Sequence, residues 1–143
     1  MEIAMKTLLA VFAATLILIG VSASADDSDA VAQAQVAAKS WLALTDSAKY
    51  GQSWDAAASF FKGAVTKADW EKAVKGVRSP LGAMKSRKVK SATFTRTLPG
   101  APDGEYVLIQ FESQFENKAA AIEMVTPMRD KDGAWRVSGY HIK

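Results

Sequence analysis

The stretch Leu98-Pro99-Gly100-Ala101-Pro102-Asp103-Gly104-Glu105-Tyr106 separates two halves of different periodicity. Pro and Gly at this density impose turns, and the alternating Val107, Ile109 and Phe111 directly after it read as a β-strand. Upstream, apolar residues recur at helical spacing; downstream they alternate. The chain therefore reads as α+β, with about three N-terminal helices packed on a four-stranded antiparallel meander.

The helical half begins at Asp26, Asp27 and Asp29, with Ser28 as the candidate N-cap. Its stripe of Val31, Ala34, Ala38, Trp41, Leu42 and Thr45 predicts a helix ending near Asp46. Ser53 is placed to cap a second helix carrying Trp54, Ala57, Ala58, Phe61 and Val65. Thr66 and Asp69 stand in a capping-box relation at the head of a third, whose stripe is Trp70, Ala73, Val74 and Val77. That helix is expected to stop before Ser79-Pro80-Leu81-Gly82, because the residue before proline avoids helical angles. Tryptophans at such positions read as core.

In the strand half, Arg87 to Leu98 is strand-like with an untidy, lysine-studded alternation that suits a sheet edge. Pro99-Gly100 fits a type II turn, and Pro102-Asp103-Gly104 a type I turn closed by a glycine at positive φ. Strand two, Glu105 to Phe115, sets Val107, Ile109, Phe111 and Phe115 against Tyr106, Gln110, Glu112 and Gln114. Strand three, about Ala120 to Arg129, sets Ile122, Met124, Thr126 and Met128 against Glu123. Asp130-Lys131-Asp132-Gly133 is a hairpin turn, and strand four sets Trp135, Val137, Gly139 and His141 against Arg136, Ser138, Tyr140 and Ile142.

Leu8 to Val21 is apolar apart from Thr15 and Gly20 and ends at Ala23-Ser24-Ala25, so residues 1–25 read as a signal peptide cut after Ala25. Met5-Lys6 is a more usual opening than Met1-Glu2, which makes Met5 an alternative start. The apolar run falls short of the roughly 20 residues that cross a bilayer, so membrane contact is expected only through an uncleaved leader. Residues 26–143 form one domain, expected to be periplasmic or secreted. They contain no cysteine, so the fold rests on its apolar core rather than on disulfides.

The net charge of +3 is concentrated between Lys62 and Arg96, where the only acids are Asp69 and Glu71. Such a segment attracts anions, or simply coats a helix and an edge strand. Export argues against nucleic acid as a partner.

No catalytic residue stands out. The single histidine, His141, is near the end of the chain, with no cysteine and no nucleophile elbow to serve. Scattered acids and one histidine do not make a metal site, and Asp130-x-Asp132-Gly133 lacks the remaining ligands of a calcium loop. No phosphate-binding or dinucleotide motif implies a cofactor.

The words Trp41-Leu42-x-Leu44-x-Asp46, Tyr50-x-x-Ser53-Trp54, Trp70, Arg78-x-Pro80-Leu81-Gly82 and Arg87 come in a familiar order. With the Leu98–Tyr106 stretch and Asp132-Gly133-x-Trp135-Arg136-Val137-x-Gly139-Tyr140, they resemble an uncharacterised bacterial family, domain of unknown function 4019. The resemblance implies a small exported bacterial protein and brings no activity, cofactor or catalytic residue. The order of elements is also similar to the NTF2-like cone, with a cystatin-like arrangement as the alternative. In a cone, polar residues on the concave face are candidates for a ligand pocket, here Arg78, Arg87, Tyr106, Glu123 and Tyr140. Glu123 is either a buried acid or a surface charge paired across the sheet with Arg136 or a lysine. The expectation is a non-catalytic envelope module that binds a small ligand or a protein. The alternative is a cofactor-independent, NTF2-like isomerase or dehydratase with Glu123 as acid/base.

Overall fold

A computed structural model describes residues 25–143. The leader, apart from Ala25, lies outside the described residues. Helices α1 (Ala25–Asp46), α2 (Tyr50–Asp55), α3 (Ser59–Ala64) and α4 (Lys67–Leu81) precede strands β1 (Met84–Thr95), β2 (Tyr106–Phe115), β3 (Lys118–Arg129) and β4 (Trp135–Ile142). The strands form one antiparallel sheet in the order β1-β2-β3-β4. The α+β arrangement is as the periodicity predicts, with four helices rather than three.

Helix α1 lies across the sheet and meets all four strands. Ala34 and Ala38 are fully buried, and their small side chains let the helix axis approach the strands closely. Trp41, Leu42 and Thr45 complete the buried stripe. Ser28 sits inside the helix rather than at its cap, since the helical turn already includes Asp26 and Asp27.

The expected second helix is split. Ala58 is extended, and its N–H donates to the Val137 carbonyl of β4 at 2.8 Å. One tertiary hydrogen bond, with Ala57 and Ala58 fully buried, outweighs a continuous helical pattern. Ser53 does not cap α2 but is buried within it, and there it joins two tryptophans. Its carbonyl accepts from Trp41 Nε1 at 2.8 Å and its hydroxyl from Trp70 Nε1 at 2.9 Å. Trp41 meets Trp70 in a tilted contact and Trp70 meets Phe61 edge to face, with ring centroids 5.9 and 4.9 Å apart, so the tryptophans of α1 and α4 are core as expected.

Thr66 caps α4 by accepting from Asp69 N at 3.2 Å. The helix then runs past Ser79 and through Pro80 to Leu81, beyond its expected end. Asn117, in the turn between β2 and β3, explains this: its N–H donates to Leu81 O at 2.9 Å and its side-chain amide to Pro80 O at 3.0 Å. The terminal carbonyls are thus satisfied from outside the helix. Gly82 then reverses the chain at φ 73°, where a Cβ would meet the Glu116 Cβ at 2.9 Å. Gly82→Ala is expected to destabilise the fold by about 1–3 kcal/mol in denaturant melts. A neutral result would contradict this local geometry.

Strand β1 begins at Met84 and ends at Thr95, displaced toward the N-terminus from the expected Arg87 to Leu98. Its untidy alternation comes from two irregularities, between Met84 and Ser86 and between Val89 and Ser91. They leave Lys85 and Lys90 out of the pairing and make this edge a poor template for another strand. Lys90→Ala is expected to change stability by no more than about 0.5 kcal/mol.

Val107, Ile109, Phe111 and Phe115 of β2 are buried as predicted. The Leu98–Ala101 turn closes with a 3.3 Å bond from Ala101 N to Leu98 O, and Gly100 takes the positive φ of a type II turn. Gly104, by contrast, is not at positive φ. A Cβ there would make only ordinary van der Waals contact, 3.6 Å from the Tyr106 ring.

Strand β4 departs most from expectation. Thr126 pairs with Gly139 and Pro127 with Val137, so Ser138 is a bulge. Pro127 lacks the N–H that regular pairing needs, and a bulge opposite is how a sheet accommodates it. Parity changes across Ser138, so Tyr140 joins Val137 on the helix-covered face instead of opposing it.

Candidate functional site

The buried face of β3 is Ala121, Glu123, Val125 and Pro127, while Ile122, Met124, Thr126 and Met128 on the other face are half-buried. Glu123 is thus a fully buried acid, and its partners are neither Arg136 nor a lysine. Its Oε1 accepts from Arg87 Nε at 2.7 Å and from Ser113 Oγ at 2.6 Å. Its Oε2 accepts a short hydrogen bond from the Tyr140 hydroxyl. The register makes this possible: Arg87 pairs with Ser113, Glu123 stands one position along on the same face, and the Ser138 bulge turns Tyr140 inward.

The cluster continues into the helices through Asp46, the last residue of α1. Arg87 donates to Asp46 through both terminal nitrogens, at 2.8 and 2.9 Å. Arg78, from the end of α4, donates to Asp46 at 2.7 Å and to Thr45 at 3.0 Å, with a longer contact of 3.4 Å to the Tyr140 hydroxyl. Arg78 is 4 % exposed, and its guanidinium lies 4.9 Å from the Phe115 ring centroid. Its Nε is the one buried side-chain polar atom without a hydrogen-bond partner among the described residues. Two guanidiniums and two carboxylates make the cluster electrically neutral.

Burial alone would raise the Asp46 carboxyl, but hydrogen bonds from Arg87 and Arg78, together with their charge, hold it below its ordinary value of 3.8. Burial likewise pushes the Tyr140 hydroxyl well above its ordinary range, reinforced by Glu123 and opposed by the two arginines. Arg87 is raised: burial lowers it, and the hydrogen bonds and charges of Asp46 and Glu123 outweigh that. A carboxylate held low in the fold stabilises it above the unfolded pKa, and that contribution is lost as pH falls through the folded value. Unfolding is therefore expected to set in below about pH 4, and Asp46→Asn to flatten part of the acid limb. Asp130 supplies another part, being held low by the Ser59 N–H that it accepts at 3.0 Å. An acid limb unchanged in Asp46→Asn would contradict the Asp46 assignment.

Four of the five sequence-predicted pocket residues, Arg78, Arg87, Glu123 and Tyr140, are therefore brought together. Tyr106 is not. It lies on the opposite sheet face beside Thr95 and Met128, and its hydroxyl donates to Pro102 O at 2.5 Å. Asp46, which joins Arg78 to Arg87, was passed over by sequence reasoning, as was Ser113, which donates to Glu123. An acid at a helix C-terminus is electrostatically unfavourable, and α1 has no basic residue in its last turn. That mismatch was the available signal that a cation from elsewhere meets it.

No group of three or more metal-ligating residues occurs among the described residues. His141 is exposed at the end of β4, and Asp130–Gly133 is a hairpin turn closed by a 2.9 Å bond from Gly133 N to Asp130 O. The largest cleft among those described, about 590 Å³, is lined mostly by outward-facing residues of β1, β2 and β3, including Lys88, Glu112, Lys118 and Ile122. Arg87 and Ser113 border it; Asp46, Arg78, Glu123 and Tyr140 do not.

No curated protein and no solved structure gives a match to this chain. A match does come from the family described as "Protein of unknown function (DUF4019)", over residues 37–140. That span holds every member of the buried cluster, from Thr45 to Tyr140. The resemblance carried by the tryptophan, arginine and turn motifs is thereby shown, and the chain belongs to the DUF4019 family.

Proposed function

We propose that the protein is an exported, non-catalytic binding module of the bacterial envelope. One observation carries this reading: the constellation of acid, phenol and guanidinium groups is occupied with itself. Both Glu123 oxygens and both Asp46 oxygens accept hydrogen bonds from within the cluster. An enzyme using Glu123 as acid or base needs a substrate within hydrogen-bond reach of that carboxylate, and the clefts described are not lined by Glu123. The open cleft on the outer sheet face, by contrast, has a volume in the roughly 300–1,000 Å³ span of small-ligand sites. A helical layer against a four-stranded meander supports the NTF2-like cone, an analogy of architecture that carries no activity.

A thermal-shift screen against envelope metabolites is expected to find a ligand that raises Tm with concentration. Turnover of a metabolite that vanishes in a folded Glu123→Gln variant would overturn the non-catalytic reading. Export is tested by N-terminal sequencing of protein recovered from the envelope fraction. Asp26 is expected as the first residue, and a retained Met1 or Met5 would contradict cleavage.

A further inference from the structure

The two edges of the sheet differ. β1 is broken by irregularities that leave Lys85 and Lys90 out of the pairing. β4, beyond the Ser138 bulge, pairs regularly with β3 from Gly139 to Ile142, with no lysine or proline in that run. Lys143 fixes its hydrogen-bonding phase: Lys143 N donates to Ile122 O at 2.9 Å, and Ile122 N to Lys143 O at 3.1 Å. Successive residues of an antiparallel strand bond to opposite sides, so Tyr140 and Ile142 turn their N–H and C=O groups away from β3. Among the described residues none of these groups meets a backbone partner, whereas upstream the Val137 carbonyl is taken by Ala58 N. Beside the open run lies a cleft of about 270 Å³, lined by Trp70, Ala73, Val74 and Val77 of α4 and by Tyr140 and Ile142 of β4. No lysine, arginine or carboxylate lines it, and Val77 is 50 % exposed.

We infer that this edge and cleft together take an extended polypeptide segment of another protein, added antiparallel to β4 as a further strand. Residues opposite Tyr140 and Ile142 share their face of the sheet. Two alternate side chains of the incoming strand therefore enter the cleft against Trp70 and Val77, and that lining requires them to be apolar. The N–H and C=O groups of the same two residues satisfy Tyr140 and Ile142. A second folded copy of the chain is the poorer occupant. A stable interface between two folded proteins buries about 1,200–2,000 Å², and the run from Gly139 to Ile142 beside a cleft of this size offers only a fraction of that. An extended segment needs less, because main-chain hydrogen bonds supply its affinity and alternate side chains its selectivity. The surface is separate from the outer cleft, and the inference rests on the binding-module reading, to which it adds a partner class.

The probe is the acetylated, amidated peptide Thr-Val-Thr-Val-Thr-Val-Thr, titrated into isotope-labelled protein recovered from the envelope fraction and followed by NMR. Saturable binding is expected, with amide exchange at Tyr140 and Ile142 slowed about tenfold or more. N-methylation of the valines, whose N–H groups face β4, is expected to abolish binding. N-methylation of the threonines, whose N–H groups face away, is expected to leave it. Val77→Lys and Ala73→Lys, both changes of exposed residues, are each expected to weaken binding about tenfold with Tm unaltered. Equal binding of the two methylated peptides, unchanged affinity in both lysine variants, or no saturable binding would each overturn the inference. So would a sedimenting dimer whose Tyr140 and Ile142 amides are protected before any peptide is added, since a second copy would then hold the edge. A metabolite that binds the outer cleft while the peptide does not bind would overturn this assignment and leave the binding-module reading intact. Metabolite turnover lost in Glu123→Gln would instead strike that reading itself.

Discussion

Replacing Glu123 by alanine is expected to lower stability by about 3–5 kcal/mol, the usual cost of removing one partner of a buried ion pair. The size does not come from a large net attraction. Desolvating the carboxylate and the Arg87 guanidinium offsets most of their mutual Coulomb energy, and apolar isosteres for the whole set would be tolerated about as well. The cost comes from what is left behind. Arg87 Nε, the Ser113 hydroxyl and the Tyr140 hydroxyl all donate to this one side chain, which is fully buried. Arg87 still has Asp46, but the two hydroxyls sit in a small void without an acceptor. Glu123→Gln keeps the shape and one acceptor oxygen and is expected to lose much less. Equilibrium urea denaturation of both variants checks the order.

Trp41→Ala is the second large effect, expected at about 3–5 kcal/mol for a buried aromatic. Trp41 is 3 % exposed and stands where α1, α2, α4 and β4 converge. Its ring meets Trp70 at 5.9 Å and Tyr140 at 5.2 Å, and its N–H donates to the Ser53 carbonyl. The loss therefore combines a cavity, two ring contacts and an orphaned carbonyl. Trp41→Phe separates these contributions: it keeps most of the apolar volume and abandons the hydrogen bond, an expected cost of about 1–3 kcal/mol. If the two substitutions proved equally mild, Trp41 would not be the junction of helices and sheet.

The contrast between these residues shows what a sequence of this kind discloses. Trp41 was legible because its neighbours recur at helical spacing, and the burial of β2 because alternation is a local pattern. The Thr66 cap and the Asp130–Gly133 hairpin are equally local, and both occur. Three departures share a non-local cause. Ala58 leaves the helix for Val137, Pro80 is tolerated because Asn117 satisfies its turn, and Tyr140 turns inward because Pro127 forces a bulge opposite. The site suffered most from this. Arg78, Arg87, Glu123 and Tyr140 were recognisable as polar groups near one face. Asp46, which ties Arg78 to Arg87, lies 32 and 41 residues before them, and no local pattern links it to either. Tyr106 alternates correctly but on the wrong face, and no count of polar residues distinguishes the two faces.

The central claim is that the buried charges sustain the fold by serving each other. A double-mutant cycle on Arg87 and Glu123, with Arg87→Ala, Glu123→Ala and the pair, measures it most directly by urea denaturation. The single changes are expected to be strongly non-additive, with a coupling of about 1–3 kcal/mol, because each orphans the other. Additive, individually mild effects would mean that the two groups do not sustain the fold together, and would contradict the account.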